Sequence, residues 1–324
     1  MNIGMIRAAA ERLRGHVRET PLLSSPFLDE IAGRRVLVKA ECLQHTGSFK
    51  YRGGRSAVSA LVARGDVTGV LAFSSGNHAQ GVARAAAEFR LPAVIVMPSD
   101  APAIKVENTR ALGAEVVSYD RARESREEIG RRLAEERGLT LIKPYDEPEV
   151  IAGQGTTGLE IARQAREAGV EVADVLVCCG GGGLSSGIAM ACEAEAPGLR
   201  VRTVEPEGLD DVARSLDAGR IVGNAAAQGS ICDAILTPEP GELTFPILSR
   251  LAGPGLAVSD DEAMRAMAAA FERLRIVLEP GGAVALAAAL FHPDAVEGEA
   301  VIAVASGGNV DRDLYIRALG GSPG

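Results

Sequence analysis

Lys50 is the residue with the clearest chemical potential in this chain. It lies in ECLQHTGSFKYRGG (residues 41–54), between Phe49 and Tyr51. Gly47, Ser48, Gly53 and Gly54 let the backbone bend there and approach a ligand closely. A lysine flanked by apolar groups loses hydration, which lowers its pKa and makes the neutral amine available. A neutral amine can form a Schiff base with an aldehyde cofactor. The plainer reading is a surface lysine at a helix start.

Five further stretches place polar groups beside glycines. FSSGNHAQG (73–81) offers Ser74, Ser75, Gly76, Asn77 and His78 where a strand ends and a helix opens, a setting for a carboxylate or phosphate. Ordinary helix capping by a serine is the alternative. VLVCCGGGGLSSG (175–187) has consecutive glycines at 180–183 before a helix, and backbone N–H groups of such a loop can wrap a phosphate. Glu205 lies 22 positions after Gly183, close to the spacing of a ribose-binding carboxylate, but no GxGxxG register fits and no P-loop is present. EPEGLDD (205–211) gathers Glu205, Glu207, Asp210 and Asp211, which suit Mg²⁺, Ca²⁺ or Mn²⁺ or else favour a helix start. VASGGNVD (304–311) displays Ser306 at a strand end, and LEPGG (278–282) places Glu279 before a bend.

The elements that must position these groups alternate in type. Apolar, β-rich runs at 36–39, 70–73, 93–97, 115–118, 175–178, 201–204 and 301–305 predict strands. Segments such as 76–90 and 122–137 have helical composition, and residues 1–15 read as an amphipathic helix. This is the pattern of an open, mainly parallel sheet with helices on both faces, whose ligands bind at the carboxyl ends of the strands. Residues 144–155, with two prolines and two glycines, suggest a crossing between lobes, and the terminal SPG a frayed end.

Composition narrows the function. The chain has 324 residues, which fits two domains or one large α/β domain. Its net charge of −9 gives no general attraction to nucleic acid or anionic membrane, and aromatics at 3% are too few for a base-stacking surface. Five cysteines without a CxxC pair argue against a disulfide framework or zinc site. No run approaches the ~20 apolar residues of a membrane helix and no signal-peptide core is seen, so a cytoplasmic location is expected.

Taken in order, GSFKYRGG, SSGNHAQG, IAGQGTTGLE, CGGGGLSSG, VEPEGLDD and VASGGNVD resemble the fold-type II pyridoxal-phosphate enzymes, in the branch of threonine/serine dehydratases and serine racemases. The resemblance spans about residues 5–317. It implies a tryptophan synthase β-like fold of two open, mainly parallel sheets. Residues 1–44 and 147–324 would form the large cofactor-binding domain, and 45–146 a small mobile one.

The resemblance also implies roles. Lys50 would be the Schiff-base lysine and the acid/base at Cα, with Phe49 packed near the cofactor. Ser74, Ser75, Gly76, Asn77 and His78 would hold the substrate carboxylate, and Asn77 would also touch the ring hydroxyl. Gly180, Gly181, Gly182, Gly183 and Leu184 would cradle the phosphate. Ser306 would meet the pyridine nitrogen, and Glu279 would join the cofactor-binding set. Glu205, the carbonyl of Leu209 and Asp211 resemble a divalent-cation site for Mg, Mn or Ca. A homodimer without a C-terminal regulatory domain is expected.

The sequence departs from many relatives at 143–146, where Lys143-Pro144-Tyr145-Asp146 replaces a stretch beginning His-Pro. Tyr145 would sit near the ring where racemases often carry Asn, which favours a dehydratase. The expected reaction is therefore elimination from L-threonine or L-serine to a 2-oxo acid and ammonia. Serine racemisation, with Ser75 returning the Cα proton, is one alternative. Another is threo-3-hydroxyaspartate ammonia-lyase, which needs a further cation from Arg52, Arg55 or Lys143. A non-catalytic sensor and a nicotinamide dehydrogenase are the remaining readings.

Overall fold

Ten strands form among the described residues of the computed structural model, which are 1–320 apart from 66, 102, 121 and 226–228. The terminal SPG lies outside them. The strands are β1 (Leu22–Ser24), β2 (Arg35–Lys39), β3 (Val70–Phe73), β4 (Ala93–Pro98), β5 (Glu115–Tyr119), β6 (Thr140–Leu141), β7 (Ala173–Cys178), β8 (Leu199–Pro206), β9 (Leu256–Val258) and β10 (Ala300–Val304). All seven predicted strands are present. The three that the sequence pattern misses, β1, β6 and β9, are two or three residues long, too short to show an apolar run, whereas β5, also at a sheet edge, has five residues and is predicted.

The strands make a six-stranded sheet, ordered β1-β2-β10-β7-β8-β9, and a four-stranded one, ordered β5-β4-β3-β6. Every pairing is parallel except β1 with β2. Parallel strands are covered on both faces, and the burial alternates accordingly. Leu176 and Cys178 of β7 join one core with Ala303 of β10, while Val175 and Val177 join the opposite core with Ile302 and Val304. In the smaller sheet Val70 and Ala72 face one cluster and Leu71 the other.

One helix, Pro280–Phe291 (PGGAVALAAALF), is apolar all round and buried along its length, as a helix inside a core must be. Residues 144–155 divide at Pro148, where a helix begins that runs to Glu167. Gly153 and Gly155 are therefore helical. They serve close packing: a Cβ at Gly153 would lie 2.5 Å from the Arg52 carbonyl, and one at Gly155 would lie 3.0 Å from the Gly187 carbonyl.

The chain order reverses at two places, between β3 and β6 and around β10. Loops at the carboxyl ends of β3, β6, β7 and β10 carry residues 74–78, 143–146, 180–184 and 306, which line one cavity. Sheets of this kind bind ligands at such crevices.

Candidate active site

A cavity of about 550 Å³ is bounded by Phe49, Lys50, the 74–78 loop, the 180–184 loop, Glu279 and Ser306. The residues expected to hold the cofactor and the substrate carboxylate thus meet in one place. Lys50 opens the helix Lys50–Arg64. The segment before it is tied to the end of β10 by backbone bonds: Phe49 N–H donates to the Ser306 carbonyl at 3.1 Å, and Gly308 N–H to the Gly47 carbonyl at 2.9 Å. The Lys50 amine donates to the Pro144 carbonyl at 2.9 Å and sits 5.0 Å from the Phe49 ring centre. Burial pushes this amine down from 10.5 to about 8, with the nearby Glu279 opposing the shift. A reactive neutral amine is accessible at that value.

The glycine loop is built for close approach. A Cβ at Gly181 would overlap the Tyr145 ring, one at Gly183 would lie 2.7 Å from Gln154 Oε1, and Gly182 has φ 89°. Gly182 caps the helix Gly183–Glu195 without a side-chain bond, so the first N–H groups of that helix point out of its end. The hydroxyls of Ser185 and Thr237 are buried there without a partner. Free N–H groups at a helix start, with donors alongside, suit a phosphate. Tyr145 packs against this loop, and Thr244, whose hydroxyl donates to the Gly181 carbonyl at 2.6 Å, braces it from behind.

The 74–78 loop leads into the helix Asn77–Glu88. Ser74 Oγ accepts from Gly76 N–H at 3.1 Å. His78 is buried, with Nε2 2.9 Å from the Ile142 carbonyl; that nitrogen carries the proton and Nδ1 has no partner. Burial, aided by the Lys50 charge, drives its pKa down to about 3, so the ring is neutral. Glu279 is pushed up to about 7 by burial, against the opposing effect of a bond from Asn77.

Not every expected residue belongs to this cavity. Glu205, Leu209 and Asp211 lie outside its lining. The Glu205 carboxylate accepts from Val212 and Ala213 N–H at 2.9 and 2.8 Å, capping the helix Asp211–Ala218, while Asp211 Oδ1 accepts from Asn224 and its Oδ2 is buried without a partner. Among the described residues no group of three His, Cys, Asp or Glu side chains converges as a metal site.

Two of the cations considered for a second carboxylate are committed elsewhere. Arg52 is wholly buried, paired with Glu41 at 2.8 Å and Glu160 at 2.6 Å, and Arg55 pairs with Glu88 at 3.0 Å. Lys143 does line the cavity, with Arg126 and Lys105, which sequence reasoning missed. Arg126 and Lys105 lie on helices remote in sequence from the glycine motifs, so no local signal marks them. Asn309 is also in the lining; its Gly-Gly-Asn context was the available signal.

These features coincide with the findings from known proteins. The family model described as pyridoxal-phosphate dependent enzyme matches residues 13–307, and the chain belongs to that family. It is 44% identical to an L-threo-3-hydroxyaspartate ammonia-lyase from Pseudomonas sp, covering 97% of each chain. Identity to a protein of that name from Saccharomyces cerevisiae is 41%, over 98% of this chain and 96% of the relative. The solved threonine deaminase of T.th. superposes with a TM-score of 0.90 at 46% identity, covering 96% of this chain and 99% of that one. Maize serine racemase gives a TM-score of 0.90 at 37% identity, over 98% and 96%.

The residues fit the family's cofactor: a depressed lysine amine, a glycine cradle that side chains would fill, and buried hydroxyls without partners. The fold is that of the fold-type II enzymes, and the family includes ammonia-lyases and racemases of small amino acids.

Proposed function

We propose that this chain is an ammonia-lyase that eliminates water from a β-hydroxy amino acid, with L-threo-3-hydroxyaspartate preferred over L-threonine and L-serine. This reverses the order of substrates expected from sequence alone. The observation that carries it is the set of cations on the cavity wall. Lys105 pairs with Asp233 at 2.8 Å and Arg126 with Glu127 at 2.7 Å, whereas among the described residues no carboxylate forms an ion pair with Lys143. Lys143 is exposed at the edge of the cavity, where Glu147 lies within reach of its charge, and a second substrate carboxylate would give it a closer partner. The two hydroxyaspartate ammonia-lyases of 44% and 41% identity support hydroxyaspartate as a substrate. Threonine is kept as second substrate by the 46% identity to a threonine deaminase.

Bound through Lys50, pyridoxal phosphate would supply an electron sink for the pair left at Cα when its proton departs. The chain's own residues do the rest. The substrate's amino group would displace Lys50 from the cofactor, and the neutral Lys50 amine so released takes the Cα proton. Ser74, Ser75, Gly76, Asn77 and His78, at a helix start, hold the α-carboxylate. Gly180, Gly181, Gly182, Gly183 and Leu184 hold the phosphate and Phe49 packs beside the ring. Ser306 offers the ring nitrogen a neutral hydroxyl and so leaves it unprotonated. Loss of the β-hydroxyl as water, followed by hydrolysis of the carbon–nitrogen bond, gives a 2-oxo acid and ammonia. Ser75 is the proposed proton donor for a racemase side activity.

Residues 45–146, which contain the whole four-stranded sheet, are the proposed mobile unit, with closure excluding water. A divalent cation is proposed at Glu205, the Leu209 carbonyl and Asp211, supported by the buried, partnerless Asp211 Oδ2. A homodimer in the cytoplasm remains the family expectation. The test of the substrate assignment is Lys143→Met. It should lower kcat/KM for hydroxyaspartate by about 10- to 100-fold, the value of one charged contact, and leave threonine within about threefold. An equal loss on both substrates would remove Lys143 from the role.

A further inference from the structure

The Asn77 side chain is held by a chain of hydrogen bonds that starts at a backbone carbonyl. The Thr46 carbonyl, which can only accept, receives a hydrogen from Asn309 Nδ2 at 2.7 Å. The same nitrogen gives its second hydrogen to Asn77 Oδ1 at 2.7 Å. Asn77 therefore turns its nitrogen the other way, where it donates to Glu279 Oε1 at 2.6 Å. Carboxamide orientation is ordinarily ambiguous. Here the polarity of Thr46 is passed through two amides and ends on a carboxylate, so each nitrogen is identified by its neighbours.

Two glycines make room for this chain. Gly47 has φ 74°, and a Cβ there would lie 2.6 Å from Asn309 Oδ1. A Cβ at Gly307 would overlap Glu279 Oε1. The side chains of Asn309 and Glu279 are thus wedged against backbone, with no room for a β-carbon on either glycine.

An amide nitrogen carries two hydrogens. Glu279 takes one from Asn77, and the other remains on a residue that lines the cavity with Lys50 and Ser306. We propose that Asn309 and Glu279 are positioning residues that hold Asn77 as an obligate donor to an anionic oxygen on the bound cofactor's ring. With its carbonyl turned toward Asn309, Asn77 has its nitrogen as the group left to face the ring. A donor at that oxygen favours its deprotonated form. The proposal rests on the family's cofactor and not on the choice of substrate.

Asn309→Asp tests it. The substitution is nearly isosteric but replaces the donor nitrogen by an acceptor, which repels Asn77 Oδ1 and works against the amide orientation that Glu279 favours. The readouts are the visible absorption of the holoenzyme titrated with pH and the equilibrium Kd for pyridoxal phosphate. Removal of one hydrogen bond to a charged oxygen should raise the pH midpoint by roughly one to two units, and weaken the Kd about tenfold or more. Asn309→Ala releases the amide without repelling it. It should move the midpoint in the same direction by a smaller amount, and it serves if the Asp variant does not fold. A structural role alone would lower thermal stability and leave midpoint and Kd in place. That result, or a downward shift, would overturn the proposal.

Discussion

Lys50 owes its chemistry to its surroundings. A lysine in water holds its proton to 10.5, whereas burial brings this one to about 8, even though Glu279 pulls the other way. Only the neutral amine can attack an aldehyde, so capture of pyridoxal phosphate by the apoprotein should accelerate as pH rises and level off above about 8. Stopped-flow absorbance across pH 6 to 10 would measure it. A midpoint near the ordinary lysine value would show that the cavity does not desolvate the amine. Phe49 made part of this environment legible in the sequence, whereas Tyr51 turns away from the cavity, packing on His45 and donating to Glu88. The electrostatic partners were not legible: Glu279 lies 229 positions away and comes to the lysine only through the fold. Arg52 shows the same limit on sequence reasoning. A basic residue two positions from Lys50 invites a role with substrate, but Glu41 and Glu160 neutralise it inside the protein. Arg52→Met leaves Glu41 buried without its partner and should destabilise the fold by about 3–5 kcal/mol. Calorimetry of the apoprotein would check this, and a loss of activity without a loss of stability would return Arg52 to the site.

At the scale of elements, glycine has two separate uses here. In the 180–184 loop it opens space for a ligand, but in the helix Pro148–Glu167 it lets helices touch. A Cβ at Gly153 would lie 2.5 Å from the Arg52 carbonyl and from Ser56 Cβ on the Lys50 helix. Gly153→Ala should therefore cost about 1–3 kcal/mol of stability through overpacking, read from the denaturant midpoint at unchanged m. A neutral result would mean the helices separate freely. The composition of residues 144–155 reads as a loop because glycine and proline signal both turns and close packing. The strands were legible wherever a run is buried on both faces. The strands β1, β6 and β9 were not, because two or three residues are too few to show a pattern, whereas β5, also at an edge, has five.

For the whole molecule, two mainly parallel sheets present carboxyl ends to one cavity, so the 74–78 loop, the 180–184 loop and Ser306 arrive from different strand ends, while Glu279 arrives from the start of a buried helix. This explains why motifs that are weak singly form one site together. It also explains why the family was legible from their order while the substrate was not: the cavity cations lie outside those motifs. The central claim is that this site releases ammonia from a β-hydroxy amino acid. The most direct measurement is 2-oxo acid formation by the pyridoxal-phosphate-loaded protein from L-threo-3-hydroxyaspartate, L-threonine and L-serine, with Mg²⁺ and with chelator. The account predicts the highest kcat/KM for hydroxyaspartate and loss of activity in Lys50→Ala. Absence of 2-oxo acid from all three, with cofactor bound to Lys50, would contradict it.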